Sequence, residues 1–182
     1  TMYITYDGLL DPLGKAQIIP YIISISQHPR NLTIISFEKK ENFKEIHLTK
    51  ELLHKHNIDW FYLKFSSKFR IFSKIIDVIK LFYFTIFLKI KNNIKIVHGR
   101  GSLPSFYGYL LKKIFNIELV FDCRGMWVDE RIDNNQWDLN KWYYNLIAKI
   151  FRNIENQLFT NSDKIIVLSR KILPYLLSRY DI

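Results

Sequence analysis

Three segments of the chain carry polar side chains in patterns that could bind a charged or hydroxyl-rich ligand. They are the loop from Asp7 to Gly14, residues 98–102 and residues 122–131, and each directly follows a short β-prone run. The second and third segments supply an imidazole, guanidinium groups and carboxylates, at His98, Arg100, Asp122, Arg124, Asp129 and Glu130. Such groups can bind a polar or phosphorylated ligand. The alternative interpretation is that they are capping and turn residues with local hydrogen bonds.

The loop from Asp7 to Gly14 contains a glycine near each end, Gly8 and Gly14, and precedes an apolar segment predicted to be helical. When a strand is followed by a glycine-containing loop and then by the first turn of a helix, unpaired backbone N–H groups lie beside the positive end of that helix. This arrangement suits a phosphate or a carboxylate, and Lys15 follows directly. Loops of this kind also serve as plain connectors.

Common nucleotide-binding and zinc-binding motifs are incomplete in the sequence. Gly99-Arg100-Gly101 has the first half of a dinucleotide fingerprint, but Pro104 stands where the third glycine belongs, and no P-loop sequence occurs. His54 and His56 are two residues apart on a predicted helix and so point in different directions. With one cysteine in the chain, we expect no metal site.

Six β-prone runs alternate with helical segments along the chain. The runs are Tyr3–Tyr6, Leu32–Phe37, Trp60–Phe65, Ile94–His98, Glu118–Asp122 and Lys164–Leu168. The clearest helix is predicted from Asp138 to Thr160, with apolar residues at i, i+3 and i+4 and Asp138 as its N-cap. This alternation predicts a Rossmann-like three-layer α/β domain with a mainly parallel sheet flanked by helices. Ligands bind such sheets at the carboxyl ends of the strands, so we expect the three polar segments to meet at one edge.

The composition is that of one globular domain covering residues 1–182. Hydrophobic residues make up 48% and charged residues 24% of the chain. The single cysteine, Cys123, permits no internal disulfide and favours a reducing compartment, so we predict a cytoplasmic location. The net charge of +10 favours an anionic partner such as a membrane surface, a nucleotide-linked substrate or nucleic acid. Nucleic acid is the weakest of these because no recognition motif for it is present.

A helix predicted from Phe69 to Lys91 bears on membrane binding. Its polar stripe, which comprises Arg70, Lys74, Asp77 and Lys80, gives way to a segment that is apolar on every side over Leu81–Leu88. A segment of eight residues cannot span a bilayer, and lysines close it at both ends. The helix could therefore rest in an anionic membrane interface, peripheral on the inner face of the cell membrane, or its phenylalanines could pack in the core.

The ordered set of motifs resembles the N-terminal domain of family-4 (group 1) glycosyltransferases, which have the GT-B fold. The likeness spans almost the whole chain and rests on Asp7-Gly8, Asp11-Pro12-Leu13-Gly14, Gln17, Pro20-Tyr21, Val97-His98-x-Arg100, Asp122 to Arg131, Glu155 and Ser162 to Ser169. The resemblance implies a retaining transferase that moves a sugar from a nucleotide-diphosphate donor to a glycan or lipid-linked acceptor, as in polysaccharide biosynthesis. It implies no metal and no cofactor, only the nucleotide sugar as cosubstrate.

The resemblance also implies roles for individual residues. The acceptor would be bound by His98, Arg100, Arg124, Trp127, Asp129 and Glu130, and the donor diphosphate would be approached by Gly8, Gly14 and Lys15. Many members of the family place a histidine near the end of the fifth strand. Here Asp122 and Arg124 occupy that region, so no catalytic residue can be carried over, and Asp122 and His98 are the candidates.

The resemblance further implies that the chain is the acceptor-side half of a two-domain enzyme, without the C-terminal domain that binds most of the donor. Such a half is expected to be inactive alone. Two alternatives stay open: one subunit of a split enzyme, and a stand-alone α/β module that binds a nucleotide or a sugar without chemistry.

Overall fold

The computed structural model describes residues 1–27, 31–65 and 72–180. It contains the strands β1 (Met2–Thr5), β2 (Leu32–Glu38), β3 (Ile58–Lys64), β4 (Ile96–Arg100), β5 (Glu118–Cys123) and β6 (Lys164–Val167). They form a six-stranded sheet in the order β3-β2-β1-β4-β5-β6, and β1–β2, β2–β3 and β5–β6 pair in parallel. Each predicted strand overlaps one of these, so the predicted α/β class is confirmed.

Helical segments connect the strands. They are a π-helical turn (Gly14–Ile18), α1 (Ile19–Ser26), a 3₁₀ turn (Lys40–Glu45), α2 (Ile46–Lys55), α3 (Phe72–Lys91), α4 (Ser102–Phe115), α5 (Trp127–Asp133), α6 (Trp142–Asn161), a second 3₁₀ turn (Arg170–Ile172) and α7 (Leu173–Arg179). Across the part of the chain that is described, none of these helices is long and apolar enough to cross a membrane. Phe69 and Arg70 lie outside the described residues, as do the side chains of Lys74 and Asp77.

The chain divides into two compact units, residues 1–97 and 98–182, and the prediction of a single domain stays a prediction. In the first unit β1 and β2 are buried along their whole length, as central strands of a parallel sheet are. Tyr3, Ile34 and Trp60 from successive strands share a core cluster with Ile22 of α1 and Leu53 of α2.

The second unit has its own aromatic core. The ring of Phe121 on β5 meets Phe159 of α6 edge-on at 5.1 Å, and Tyr180 stacks on Phe159 at 4.3 Å. The carboxylate of Asp163 accepts hydrogen bonds from the backbone nitrogen of Leu119 at 2.7 Å and from the ammonium of Lys112 at 2.6 Å. These contacts fix α4 and α6 beside β5 and so set the position of the β5 carboxyl end.

The prediction that Asp138 caps the long helix is wrong. α6 begins at Trp142, and Lys141 occupies the N-cap position. The Asp138 carboxylate instead accepts a hydrogen bond from the backbone nitrogen of Asn140 at 3.0 Å. Aspartate side chains readily offer the backbone such a local turn in place of a helix, which is why the helix starts later than its apolar pattern indicated.

Candidate functional site

The loop after β1 depends on glycine for its shape. A Cβ atom on Gly14 would lie 2.1 Å from the carbonyl oxygen of Gly8 and 2.6 Å from the Cα of Leu9. Because no side chain fits at those distances, only glycine lets the π-helical turn begin this close to the loop. The loop is closed further by backbone hydrogen bonds from Asp11 to Gly8 and from Lys15 to Asp11.

A buried carboxylate from β2 occupies two N–H groups of this loop. Glu38 accepts hydrogen bonds from the backbone nitrogens of Leu9 at 2.7 Å and Leu10 at 3.2 Å. It also accepts one from the Ser36 hydroxyl at 2.6 Å, and that hydroxyl accepts one from Trp60 Nε1 at 2.9 Å. The expectation of unpaired N–H groups is therefore wrong for Leu9 and Leu10, since the protein supplies an anion of its own there.

Other charges around the loop are paired in the same unit. The ammonium of Lys15 lies 2.5 Å from the carboxylate of Glu45. Asp11 accepts a hydrogen bond from the Asn42 amide at 2.8 Å and pairs with Lys39 at 3.0 Å. Contact of Gly8, Gly14 and Lys15 with a donor diphosphate stays a prediction, and Lys15 would have to exchange its carboxylate partner to make it.

Burial raises the pKa of Glu38, and the hydrogen bonds from Ser36, Leu9 and Leu10 partly offset that rise. Sequence reasoning missed this residue because the predicted strand ended at Phe37, which left Glu38 as an apparent loop residue. The rule that polar residues at strand ends form sites would have found it, because Glu38 is the last residue of β2.

The second unit brings three other predicted site residues together around Asp122. One carboxylate oxygen of Asp122 lies 3.9 Å from Nε2 of His98 and 3.8 Å from a guanidinium nitrogen of Arg100. The other oxygen lies 3.5 Å from a guanidinium nitrogen of Arg124. We call this group the Asp122 cluster. Asp122, His98 and Arg100 are buried, whereas the Arg124 side chain is 31% exposed.

Close packing of α4 on β4 positions the Asp122 cluster. A Cβ atom on Gly99 would lie 2.4 Å from the Cα of Ser105, and the Ser105 hydroxyl donates to the Gly99 carbonyl oxygen at 2.8 Å. Gly101 has a φ of +82°, a backbone conformation that favours glycine, and its nitrogen donates to the Asp122 carbonyl oxygen at 2.8 Å. The chain can therefore turn from β4 into α4 while staying bonded to β5.

The arrangement has a definite chemical character. A buried carboxyl group lies between two guanidinium groups, and the buried imidazole of His98 lies beside it. Arg124 is the member that a ligand can reach, and its planar group can donate hydrogen bonds to hydroxyl or phosphate oxygens. The contact with Asp122 can orient the Arg124 guanidinium.

Three further predicted residues lie on α5. The ring of Trp127 packs against Trp137 at 5.1 Å and Phe151 at 4.5 Å, so much of it serves packing. Glu130 is exposed, and its carboxylate lies against Gly125, where a Cβ atom would overlap it. Binding of an acceptor by Trp127 and Glu130 stays a prediction.

Asp129 is engaged in contacts between helices. Its carboxylate lies 2.6 Å from Arg179 of α7 and 3.1 Å from Arg152 of α6, and it accepts a hydrogen bond from the Tyr175 hydroxyl at 3.2 Å. Burial favours a higher pKa for Asp129, but the two guanidinium groups outweigh it and hold this pKa below its usual value. These contacts indicate a structural role, and the predicted role in acceptor binding stays untested.

Glu155 of α6 is a buried carboxyl group in the same unit. It accepts a weak hydrogen bond from the Ser102 hydroxyl at 3.4 Å. Burial, together with the charge of Asp129, raises the pKa of Glu155 to about 7. Within residues 1–27, 31–65 and 72–180, no group of three or more His, Cys, Asp or Glu residues is placed to hold a metal ion.

Comparisons with known proteins bear on the fold. No protein-family model matches the chain, and no curated protein matches its sequence. The solved structure of Arabidopsis thaliana UGT89C1 complexed with UDP aligns with a TM-score of 0.54 and 12% identity, covering 98% of this chain and 48% of that one. A structure of UGT89C1 described without UDP aligns with a TM-score of 0.43 and 10% identity, covering 99% of this chain and 55% of that one.

The chain spans about half the length of the UDP-complexed structure. At this identity the likeness concerns the fold, and it does not distinguish family 4 from other glycosyltransferase families. Together with the strand order, it shows that the chain has a Rossmann-like α/β fold of the kind that forms one half of a GT-B glycosyltransferase.

Proposed function

We propose that the chain is the acceptor-binding half of a retaining glycosyltransferase. The whole enzyme would move a sugar from a nucleotide-diphosphate donor to a glycan or lipid-linked acceptor, in polysaccharide biosynthesis. The observation that carries the proposal is the Asp122 cluster, in which a partly exposed guanidinium is oriented by a buried carboxylate at the end of β5. The likeness of the fold to half of a UDP-complexed structure supports it.

Arg124 would bind hydroxyl or phosphate oxygens of the acceptor. Its guanidinium carries five N–H donors in a rigid plane, and one of its nitrogens lies 3.5 Å from the Asp122 carboxyl oxygen, which favours one orientation of that plane. Asp122 would hold Arg124 in place, and His98 lies 3.9 Å from the same carboxyl group. We keep both as the catalytic candidates.

The donor would be bound mostly by a second domain, in a longer form of the chain or on another chain. Glu38 already occupies the N–H groups of Leu9 and Leu10, so any contact of this loop with a diphosphate would come from other groups of Gly8 to Lys15. The 182-residue chain alone is therefore proposed to be inactive and to bind a free nucleotide weakly. With its one cysteine buried, we propose that it acts in the reducing cytoplasm.

Saturation-transfer NMR on the 182-residue chain tests this proposal, with a panel of unlabelled mono- and disaccharides and with UDP as probes. We expect weak saccharide binding that Arg124→Ala abolishes and that Arg170→Ala leaves unchanged, because Arg170 is an exposed arginine in the same unit. Saccharide binding that Arg124→Ala leaves unchanged would overturn the assignment of the site. UDP binding tighter than saccharide binding would favour the nucleotide-binding module instead.

A further inference from the structure

An apolar stripe runs along the exposed side of α3. Its members, which we call the α3 stripe, are Ile79, Tyr83, Phe87 and Ile90, with 49%, 68%, 54% and 65% of their surface exposed. Their spacing places them on one face over three helical turns. Leu81, Thr85 and Leu88 of the same helix are buried, and Phe84 packs edge-on against Phe61 of β3. Another face of α3 is therefore covered, while the stripe is exposed.

The charged residues within and directly after the α3 stripe are all lysines. Between residues 79 and 95 the charged residues are lysines at four positions, Lys80, Lys89, Lys91 and Lys95, and the sequence has no Asp or Glu there. Lys80, Lys91 and Lys95 are exposed. The ammonium of Lys91 lies 5.8 Å from the ring centroid of Phe87. Lysines therefore flank the stripe from residue 80 to residue 95, and Asp77 of the same helix precedes it.

We propose that the α3 stripe is a docking surface for an anionic membrane. Its apolar side chains would enter the boundary between headgroups and acyl chains, and the lysines would meet the anionic headgroups. Tyr83 suits this depth because its ring is apolar and its hydroxyl can stay hydrated. The helix would lie on the membrane, since it is not long and apolar enough to cross it. This inference does not depend on the proposed transferase activity.

Charge complementarity favours a membrane over a second copy of the chain. A symmetric dimer formed through the stripe would place the same lysines of both copies at one interface, where like charges repel. An anionic lipid surface supplies the opposite charge over the whole length of the helix. A membrane can also accommodate a row of side chains that project from a helix without having a surface of complementary shape.

Vesicle sedimentation at low salt tests the proposal with the 182-residue chain. We expect binding to vesicles of phosphatidylcholine and phosphatidylglycerol, and much weaker binding to phosphatidylcholine alone. Tyr83→Ser with Phe87→Ser should reduce the partition coefficient by about tenfold or more. Lys80→Gln with Lys91→Gln should mainly remove the preference for anionic vesicles. The matched control is Leu48→Ser with Leu52→Ser on α2, two residues of the same unit that are 71% and 40% exposed.

Several outcomes would overturn the proposal. One is that the unaltered chain does not sediment with anionic vesicles at low salt. Another is that the α2 control loses as much binding as the α3 variant, which would assign the attraction to the overall charge of +10. A concentration-dependent dimer that Tyr83→Ser with Phe87→Ser abolishes would assign the stripe to a second copy. Far-UV circular dichroism of each variant establishes that it is folded, so that lost binding reports on the surface.

Discussion

The carboxylate of Glu38 lies 2.7 Å from the backbone nitrogen of Leu9, within the glycine-containing loop that follows β1. The same group accepts from Leu10 and Ser36. A phosphate ligand of this loop would have to displace the Glu38 side chain from these N–H groups or bind beside it. The loop is therefore better suited to shaping the unit around β1 than to binding a diphosphate through these two N–H groups.

Replacing Glu38 with glutamine tests the structural importance of this carboxylate. In the variant, an NH₂ group replaces one carboxylate oxygen and cannot accept a hydrogen bond. At least one N–H or hydroxyl donor that now bonds to this carboxylate would therefore lose its acceptor. We expect Glu38→Gln to lower the free energy of unfolding by about 1–3 kcal/mol, measured by urea denaturation. Amide hydrogen exchange at Leu9 and Leu10 should become faster.

The control for this experiment is Glu45→Gln, which breaks a partly exposed ion pair with Lys15. Exposed pairs contribute little, so it should cost less than about 1 kcal/mol. Equal stabilities for Glu38→Gln and the unaltered chain would show that the carboxylate does not hold the loop.

Glu155 should make stability depend on pH. Its pKa is about 7 in the folded chain, against an ordinary value of 4.5, so the folded state binds the proton more tightly. The stabilisation is fully present below about pH 4.5 and is lost as the pH rises through 7. Glu155→Gln removes this dependence. The free energy of unfolding of the variant should therefore exceed that of the unaltered chain by an amount that grows with pH to roughly 3 kcal/mol.

Urea denaturation at several values between pH 4.5 and pH 8 measures this effect. Glu118→Gln is the matched control, because Glu118 is an exposed glutamate of the same unit. This substitution should leave the dependence of the unfolding free energy on pH unchanged. If the profiles of Glu155→Gln and the unaltered chain run parallel, Glu155 does not titrate in this range.

Asp129 should stabilise the second unit through its guanidinium partners. Asp129→Asn removes the negative charge between Arg152 and Arg179, and we expect a loss of about 1–2 kcal/mol at pH 7, after allowance for partial exposure. Because the pKa of Asp129 is lowered on folding, the difference should shrink as the pH falls through that pKa. Asp133→Asn, at an exposed position of the same helix, should have little effect in the same denaturation series.

Cys123 should be unreactive while the chain is folded. It is buried, and burial raises the pKa of its thiol to about 11, so little thiolate exists at pH 8. We expect iodoacetamide to label the native chain at least about a hundredfold more slowly than the chain unfolded in urea. Mass spectrometry of timed samples measures both rates. Rapid labelling of the native chain would mean that the β5 end opens readily.

The architecture could be predicted from the sequence because its signals are local. The strands stand out as short apolar runs, and the rule that polar strand ends meet at one edge correctly grouped His98 with Asp122 and Arg124. The start of α6 was misplaced because an aspartate can form a turn as readily as a helix cap.

The contacts that define the sites could not be predicted, because they join residues far apart in the chain. Glu38 and Leu9 are separated by 29 positions, and Asp129 and Arg179 by 50. No periodic pattern relates such pairs. Asp129 looked available to a ligand in the sequence, although its arginine partners on α6 and α7 already engage it.

The close approach of α4 to β4 at Gly99 has a consequence for how this gene can vary. Every amino acid that a single nucleotide change can introduce at a glycine codon carries a Cβ atom. At this position that atom would meet the backbone of Ser105 at 2.4 Å. In a deep mutational scan, position 99 should therefore tolerate only synonymous changes. The loss of function on substitution of Gly99 would then report on the packing of α4 against β4, and it would give no information about the substrate.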